Sequence, residues 1–191
     1  MYIRNNIVSA IFRIIFIIAC GAGLALKLLD TGISLDAFLS DFALLASTLA
    51  LAYFIYLLIA RPRYERGFLR GAVTIYLLLI FIMNSFIAMT PLSTMGIANT
   101  LLYFVSPLVA FVDYLLFCPK GGFHPYNPLT WAILPAIYNL AIAILNHFIP
   151  TITGSVYFTF LNMGFILSLL VFLGIGYLLF LIDSLMAGRR H

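Results

Sequence analysis

The sequence contains six apolar stretches, each long enough to cross a lipid bilayer as a helix. They lie near residues 7–29, 39–60, 69–89, 97–118, 129–149 and 157–186. A transmembrane helix needs about 20 apolar residues to cross about 30 Å of hydrocarbon, so six helices fill the chain of 191 residues. With 64% hydrophobic and only 8% charged residues, the chain has no room for a soluble or nucleic-acid-binding domain. Because the stretches are continuously apolar, we predict an all-α protein: one transmembrane domain, a six-helix bundle.

The basic residues indicate how this bundle is oriented. With six helices, Arg4, the cluster at 61–70, Lys120 and the C-terminal pair at 189–190 lie on one side of the membrane. The loops at 30–38, 90–96 and 150–156 have no Lys or Arg. Cytoplasmic loops carry an excess of Lys and Arg. We therefore predict a multi-pass protein of the cytoplasmic membrane with both termini in the cytoplasm.

Three charged residues lie within the predicted helices, near the cytoplasmic side. They are Arg13 in the first helix, Asp113 in the fourth and Asp183 in the sixth. A charged side chain at membrane depth costs roughly 2.5 to 3.5 kcal/mol, so it tends to face protein or water. We predict that Arg13 forms a structural charge pair with one or both carboxylates. A proton relay through Asp113 is the alternative, and it requires that carboxyl to be accessible to water.

The fourth helix carries a polar stripe along its length. Asn99, Ser106 and Asp113 are spaced seven residues apart, so they lie on nearly the same face, with Tyr103 beside them. Pro107 frees a backbone carbonyl in the preceding turn. The stripe predicts a face directed to the bundle interior, either as hydrogen-bonding contacts between helices or as the wall of a polar cavity.

Other helices place polar residues at the depth of Asn99. We predict that these residues line a cavity opening to the outside: Lys27, Ser40, Asp41, Asn84, Asn146, His147 and Asn162. Lys27 and Asp41 have an alternative, which is to pair with each other.

This set of residue types permits ester hydrolysis. The reaction needs a hydroxyl nucleophile, a base and donors for the oxyanion. Ser40 is the candidate nucleophile, His147 the candidate base, and Asn84, Asn99 or Asn162 the candidate donors. The three histidines have no spacing that gathers metal ligands, and no glycine-rich phosphate loop is present. We expect neither a metal nor a cofactor.

The fourth helix also resembles a known family. The run from Asn99 to Phe117, with Pro107 and Asp113, followed by 119–121, resembles the fourth-helix signature of the androgen-induced-gene family of six-helix membrane proteins, particularly its bacterial branch. The segments 128–131 and 135–138 also resemble that family.

The resemblance implies a hydrolase of fatty acid esters of hydroxy fatty acids. The family has a threonine near the start of helix two, and the similar segment 38–40 makes Ser40 the nucleophile by resemblance. The family's histidine in helix four corresponds to Tyr103, so Tyr103 belongs to the catalytic candidates although tyrosine is a poor base at neutral pH. Either His147 replaces the histidine from a neighbouring helix, or this chain has lost the activity.

The sequence therefore predicts a membrane protein whose ligand is a membrane lipid or fatty-acyl compound. One hypothesis is a serine- or threonine-type lipid ester hydrolase. The alternative is a non-catalytic binder or transporter of a small amphiphile, or a membrane-embedded partner subunit.

Overall fold

The described part of the chain is helical. A computed structural model describes residues 6–31, 38, 41–60, 67–87, 95–148 and 163–187. The helices are α1 (Asn6–Thr31), α2 (Phe42–Ala60), α3 (Phe68–Ile82), α4 (Ile97–Thr100), α5 (Ser106–Phe117), α6 (Asn127–Trp131), α7 (Ile133–Phe148) and α8 (Met163–Ala187). No strand occurs within these ranges. The prediction of an all-α protein is confirmed for them.

Within the described ranges, five helices are long and apolar enough to cross a membrane. They are Asn6–Asp30, Phe42–Ala60, Phe68–Phe86, Ile97–Phe117 and Ile166–Ala187. The chain is thus of the multi-pass membrane type. The fifth predicted helix, near 129–149, is divided into α6 and the 16-residue α7.

Pro135 explains this division. Proline has no amide hydrogen, so it cannot donate to the carbonyl four residues earlier, that of Trp131. The hydroxyl of Tyr76 donates to this carbonyl instead, at 2.9 Å. The break between α6 and α7 therefore leaves the freed carbonyl hydrogen-bonded to α3.

Helix α3 lies at the centre of the bundle. Every residue from Arg70 to Ile80 is buried, and α3 contacts α2, α5 and α8. Two glycines allow close approach to it. A Cβ at Gly71 would lie 2.6 Å from Phe123 and 2.7 Å from Trp131, and one at Gly176 of α8 would lie 3.0 Å from Ile75. These contacts fix α6 and α8 against α3.

The Ile97–Phe117 helix contains a π-helical turn at Leu101–Val105. The backbone N–H of Ser106 donates to the carbonyl of Leu101, five residues earlier, and the Ser106 hydroxyl donates to the same oxygen at 2.8 Å. The turn directly precedes Pro107, whose ring crowds an ordinary helical turn. A second π-helical turn, Met83–Ile87, extends α3. Such turns often occur at functional sites.

Candidate functional site

Two rows of polar residues face each other where α1 packs against the Ile97–Phe117 helix. We call the three pairs the polar ladder: Arg13 with Asp113, Cys20 with Ser106, and Lys27 with Asn99. The residues of each row are seven apart, and the two helices run in opposite directions. The pairs therefore lie at successive depths, roughly 10 Å apart at 1.5 Å per residue. We call the two ends of the bundle the Arg13 end and the Lys27 end.

At the Arg13 end, one carboxylate lies between two arginines. Asp113 is fully buried, with Oδ1 3.9 Å from Nε of Arg13 and Oδ2 3.7 Å from Nε of Arg70. Nη1 of Arg13 also donates to the carbonyl of Leu57, at 3.0 Å. Arg70 is 1% exposed and lies in the first turn of α3, where the helix dipole disfavours a cation. The Asp113 charge offsets that penalty for the buried guanidinium.

Asp183 lies outside this ion pair. Its Oδ2 accepts the backbone N–H groups of Gly121 at 2.9 Å and Phe123 at 3.1 Å. The carboxylate thus holds the loop that follows the Ile97–Phe117 helix. The sequence suggested Asp183 as a partner of Arg13, but its Oδ2 accepts hydrogen bonds from backbone donors of a loop instead. Arg70, and not Asp183, is the third member of the ion-paired group with Arg13 and Asp113.

The middle of the ladder is neutral and tightly packed. Cys20 contacts the hydroxyl of Ser106, and its thiol donates to the carbonyl of Ser47 at 3.4 Å. Cys20, Ser47 and Ser106 are each fully buried. The Oγ of Ser47 has no hydrogen-bond partner among the described residues. This level separates the charges at the two ends of the bundle.

At the Lys27 end, a lysine and an asparagine form a half-buried polar pair. Nζ of Lys27 donates to Oδ1 of Asn99 at 2.9 Å, and it lies 6.0 Å from the ring centre of Tyr103. An ammonium group only donates hydrogen bonds, so it fixes the amide with the oxygen towards Lys27 and the NH₂ group away from it. Among the described residues, the Asn99 side chain makes no other hydrogen bond. Its two N–H donors are therefore available next to a cation.

Other predicted cavity residues make local contacts. Nδ2 of Asn84 donates to the carbonyl of Ile80 at 2.9 Å, within the second π-helical segment. Oδ1 of Asp41 accepts the backbone N–H of Ala43 at 2.9 Å, capping the first turn of α2. His147 is exposed in the last turn of α7 and makes no hydrogen bond to a described residue.

Three candidates remain outside the description. Ser40 and Asn162 lie outside the described residues, and so does the side chain of Asn146. Within the described part of the chain, no three His, Cys, Asp or Glu side chains group closely enough to hold a metal ion.

The sequence contains a second pattern that predicts the polar ladder, in addition to the polar stripe on the fourth helix. Arg13, Cys20 and Lys27 have the same seven-residue spacing as Asn99, Ser106 and Asp113. Two rows with one spacing, on antiparallel helices, predict three contacts. Arg70 was grouped with the basic loop at 61–70, and its burial has no such signal.

No family model, curated protein or solved structure matches this chain.

Proposed function

We propose that this protein binds the anionic head of a membrane amphiphile at the Lys27 end of the polar ladder. The observation that carries the proposal is the hydrogen bond from Lys27 to Asn99. It places an ammonium group beside two amide N–H donors, and a carboxylate or phosphate accepts hydrogen bonds only. The pair lies within a few residues of the ends of α1 and α4, where a lipid head group meets the hydrocarbon.

The proposal includes a membrane topology of six spans with both termini in the cytoplasm. Contacts of α6 with α8, and of Trp131 with Gly71, support α6 at the Arg13 end. The Asp183 contacts support the C-terminal end of α8 at that same end, so α8 starts at the opposite one. The chain between residues 132 and 163 then has to cross once more, which makes α7 the remaining span. The excess of Lys and Arg at the Arg13 end favours a cytoplasmic location.

Binding is tested with a fluorescent undecanoate, an anionic single-chain probe, on the purified protein in nonionic detergent. Lys27→Met should weaken binding at least about tenfold, the size of a charge-assisted hydrogen bond lost. Lys27→Arg should retain most of it. Thr100→Val, next to Asn99 on a half-exposed position, is the matched control. An undecylamine of the same length should not bind. Equal affinity of wild type and Lys27→Met would overturn the proposal.

A second candidate is hydrolysis of a lipid ester by Ser40. Asp41 fixes the first turn of α2, and Ser40 is the preceding residue. The family resemblance of the fourth helix supports the same chemistry. The buried, arginine-paired Asp113 argues against a proton carrier at that position, so proton-coupled transport is not proposed.

The hydrolase candidate is tested by labelling with a fluorophosphonate. Labelling of wild type that is lost in Ser40→Ala supports an activated serine. Absence of labelling in a folded protein that binds the undecanoate probe would reject hydrolysis and leave binding as the function.

A further inference from the structure

We propose that Lys120 binds the phosphate of an anionic phospholipid at the Arg13 end of the bundle. This site is separate from the Lys27 site and does not depend on it. The proposal rests on three observations. Positive charge is in excess at the Arg13 end, Tyr114 holds the Lys120 side chain, and Lys120 lies at the end of a membrane span.

Charge is unbalanced among the described residues at this end. Three cations, Arg13, Arg70 and Lys120, lie near two carboxylates, Asp113 and Asp183. Both arginines lie against Asp113, and backbone N–H groups of the loop satisfy Oδ2 of Asp183. These five side chains together carry one positive charge in excess.

Lys120 is held in a fixed position. Its Nζ donates to the carbonyl of Tyr114 at 2.7 Å and lies 3.4 Å from the centre of that ring. The next residue, Gly121, has a positive φ of 84° and is tied to Asp183. An ammonium group has three N–H donors, and the carbonyl of Tyr114 takes one. Because these contacts already hold the half-buried side chain, binding an anion to its other donors needs no further ordering of the side chain.

The electrostatic environment of Lys120 favours an added anion. Burial lowers the pKa of Lys120 and the Arg70 charge lowers it further, whereas Cys118, Asp183 and Asp113 act in the opposite direction. Burial takes water away from the ammonium group, and a phosphate next to it would stabilise the charged form in place of that water.

The position matches that of a lipid phosphate. Lys120 follows the end of the Ile97–Phe117 span by three residues, at the level where head groups of the membrane lie. A lysine near an anionic membrane surface contributes about 1 kcal/mol of attraction. A phospholipid is already present at this level, so it is the occupant that we favour over free phosphate.

The chain contains only two lysines, Lys27 and Lys120, which makes a direct test possible. With 13C at Cε of lysine, the protein gives one signal from each end of the bundle. Short-chain phosphatidylglycerol is titrated into the detergent-solubilised protein, and short-chain phosphatidylcholine is the neutral control. We expect the Lys120 signal to shift saturably with phosphatidylglycerol only and its apparent pKa to rise. The Lys27 signal should not show the same saturation.

Variants separate binding from a structural role of Lys120. Lys120→Gln should weaken phosphatidylglycerol binding about fivefold, as expected for one cation, while Lys120→Arg retains it. Binding of phosphatidylglycerol by Lys120→Gln with the same affinity as wild type would overturn the proposal. So would an unshifted Lys120 signal, or the same shift produced by inorganic phosphate at equal concentration, which would assign the site to the free ion. Failure here leaves the undecanoate result at Lys27 unaffected.

Discussion

Arg13 and Asp113 are joined across the bundle, with the guanidinium Nε 3.9 Å from a carboxylate that has no exposure to solvent. Arg70 approaches the other oxygen of the same carboxylate. Two buried cations thus share this anion, so the three residues should differ in how much stability is lost when each is replaced.

Replacing Asp113 should be the most damaging change in this group. Asp113→Ala removes the carboxylate that two largely buried arginines share, and breaking a buried ion pair costs about 3–5 kcal/mol. Arg13→Gln leaves Arg70 beside Asp113 and should cost less. Thermal unfolding in detergent would measure this order. A smaller loss for Asp113→Ala than for Arg13→Gln would contradict it.

Asp183→Ala should loosen the loop after the Ile97–Phe117 helix. The amides of Gly121 and Phe123 lose a charged acceptor, worth about 1.5–3 kcal/mol for each bond. Hydrogen exchange at these two amides should accelerate, while exchange in α1 stays as in wild type. Equal acceleration throughout the protein would indicate global destabilisation instead.

Gly23→Ala should disturb the Lys27 end. A Cβ at Gly23 would lie 2.9 Å from Cγ of Leu102 and 3.1 Å from Cβ of Leu101. The added methyl group pushes the π-helical turn away from α1 and separates Lys27 from Asn99. We expect a lower unfolding temperature and weaker binding of the undecanoate. Gly21→Ala is the matched control because its Cβ would meet nothing within 4 Å.

His147→Ala should leave both probe binding and any fluorophosphonate labelling unchanged. The side chain is exposed and makes no hydrogen bond to a described residue. If labelling is present in wild type and is lost in His147→Ala, this residue is the base for Ser40 after all.

We expect the free energy of unfolding to depend on pH because of Lys120. The folded state lowers its pKa below the ordinary value of 10.5, so the unfolded chain binds that proton more tightly. The free energy of unfolding should therefore rise as the pH increases from the folded-state pKa of Lys120 to 10.5. At neutral pH, below both pKa values, it should be lower. Unfolding temperatures along an alkaline series would show the rise, and Lys120→Gln should lack it. Arg189→Gln, which retains Lys120, should keep it.

The sequence predicts the helical class because apolar runs of this length leave few alternatives. It also indicates the polar stripe of Asn99, Ser106 and Asp113, since the spacing is local. The sequence does not indicate as well which group each polar side chain contacts. Oδ2 of Asp183 accepts the backbone N–H groups of Gly121 and Phe123, and backbone donors leave no residue pattern in the sequence.

The π-helical turn and the break at Ala132 were also beyond the sequence patterns used. The break follows from Pro135, and the π-helical turn directly precedes Pro107, but a proline specifies only which hydrogen bond is lost. At the break, the Tyr76 hydroxyl of another helix donates to the freed carbonyl of Trp131. At the π-helical turn, Ser106 donates to the carbonyl of Leu101 within the same helix. Ser40 and Asn162 stay predictions because they lie outside the described residues.

The polar ladder has a consequence for biosynthesis. Lys27 is made 72 residues before Asn99, which is roughly 4 to 15 s of translation at about 5–20 residues per second. During this interval α1 has to reside in or beside the membrane before the Asn99 amide that accepts from Lys27 has been made. The carbonyl of Leu57, 44 residues after Arg13, is reached sooner and offers the guanidinium an earlier contact. The α1–α2 hairpin is then the first stage of assembly, and arrival of the Ile97–Phe117 helix completes it.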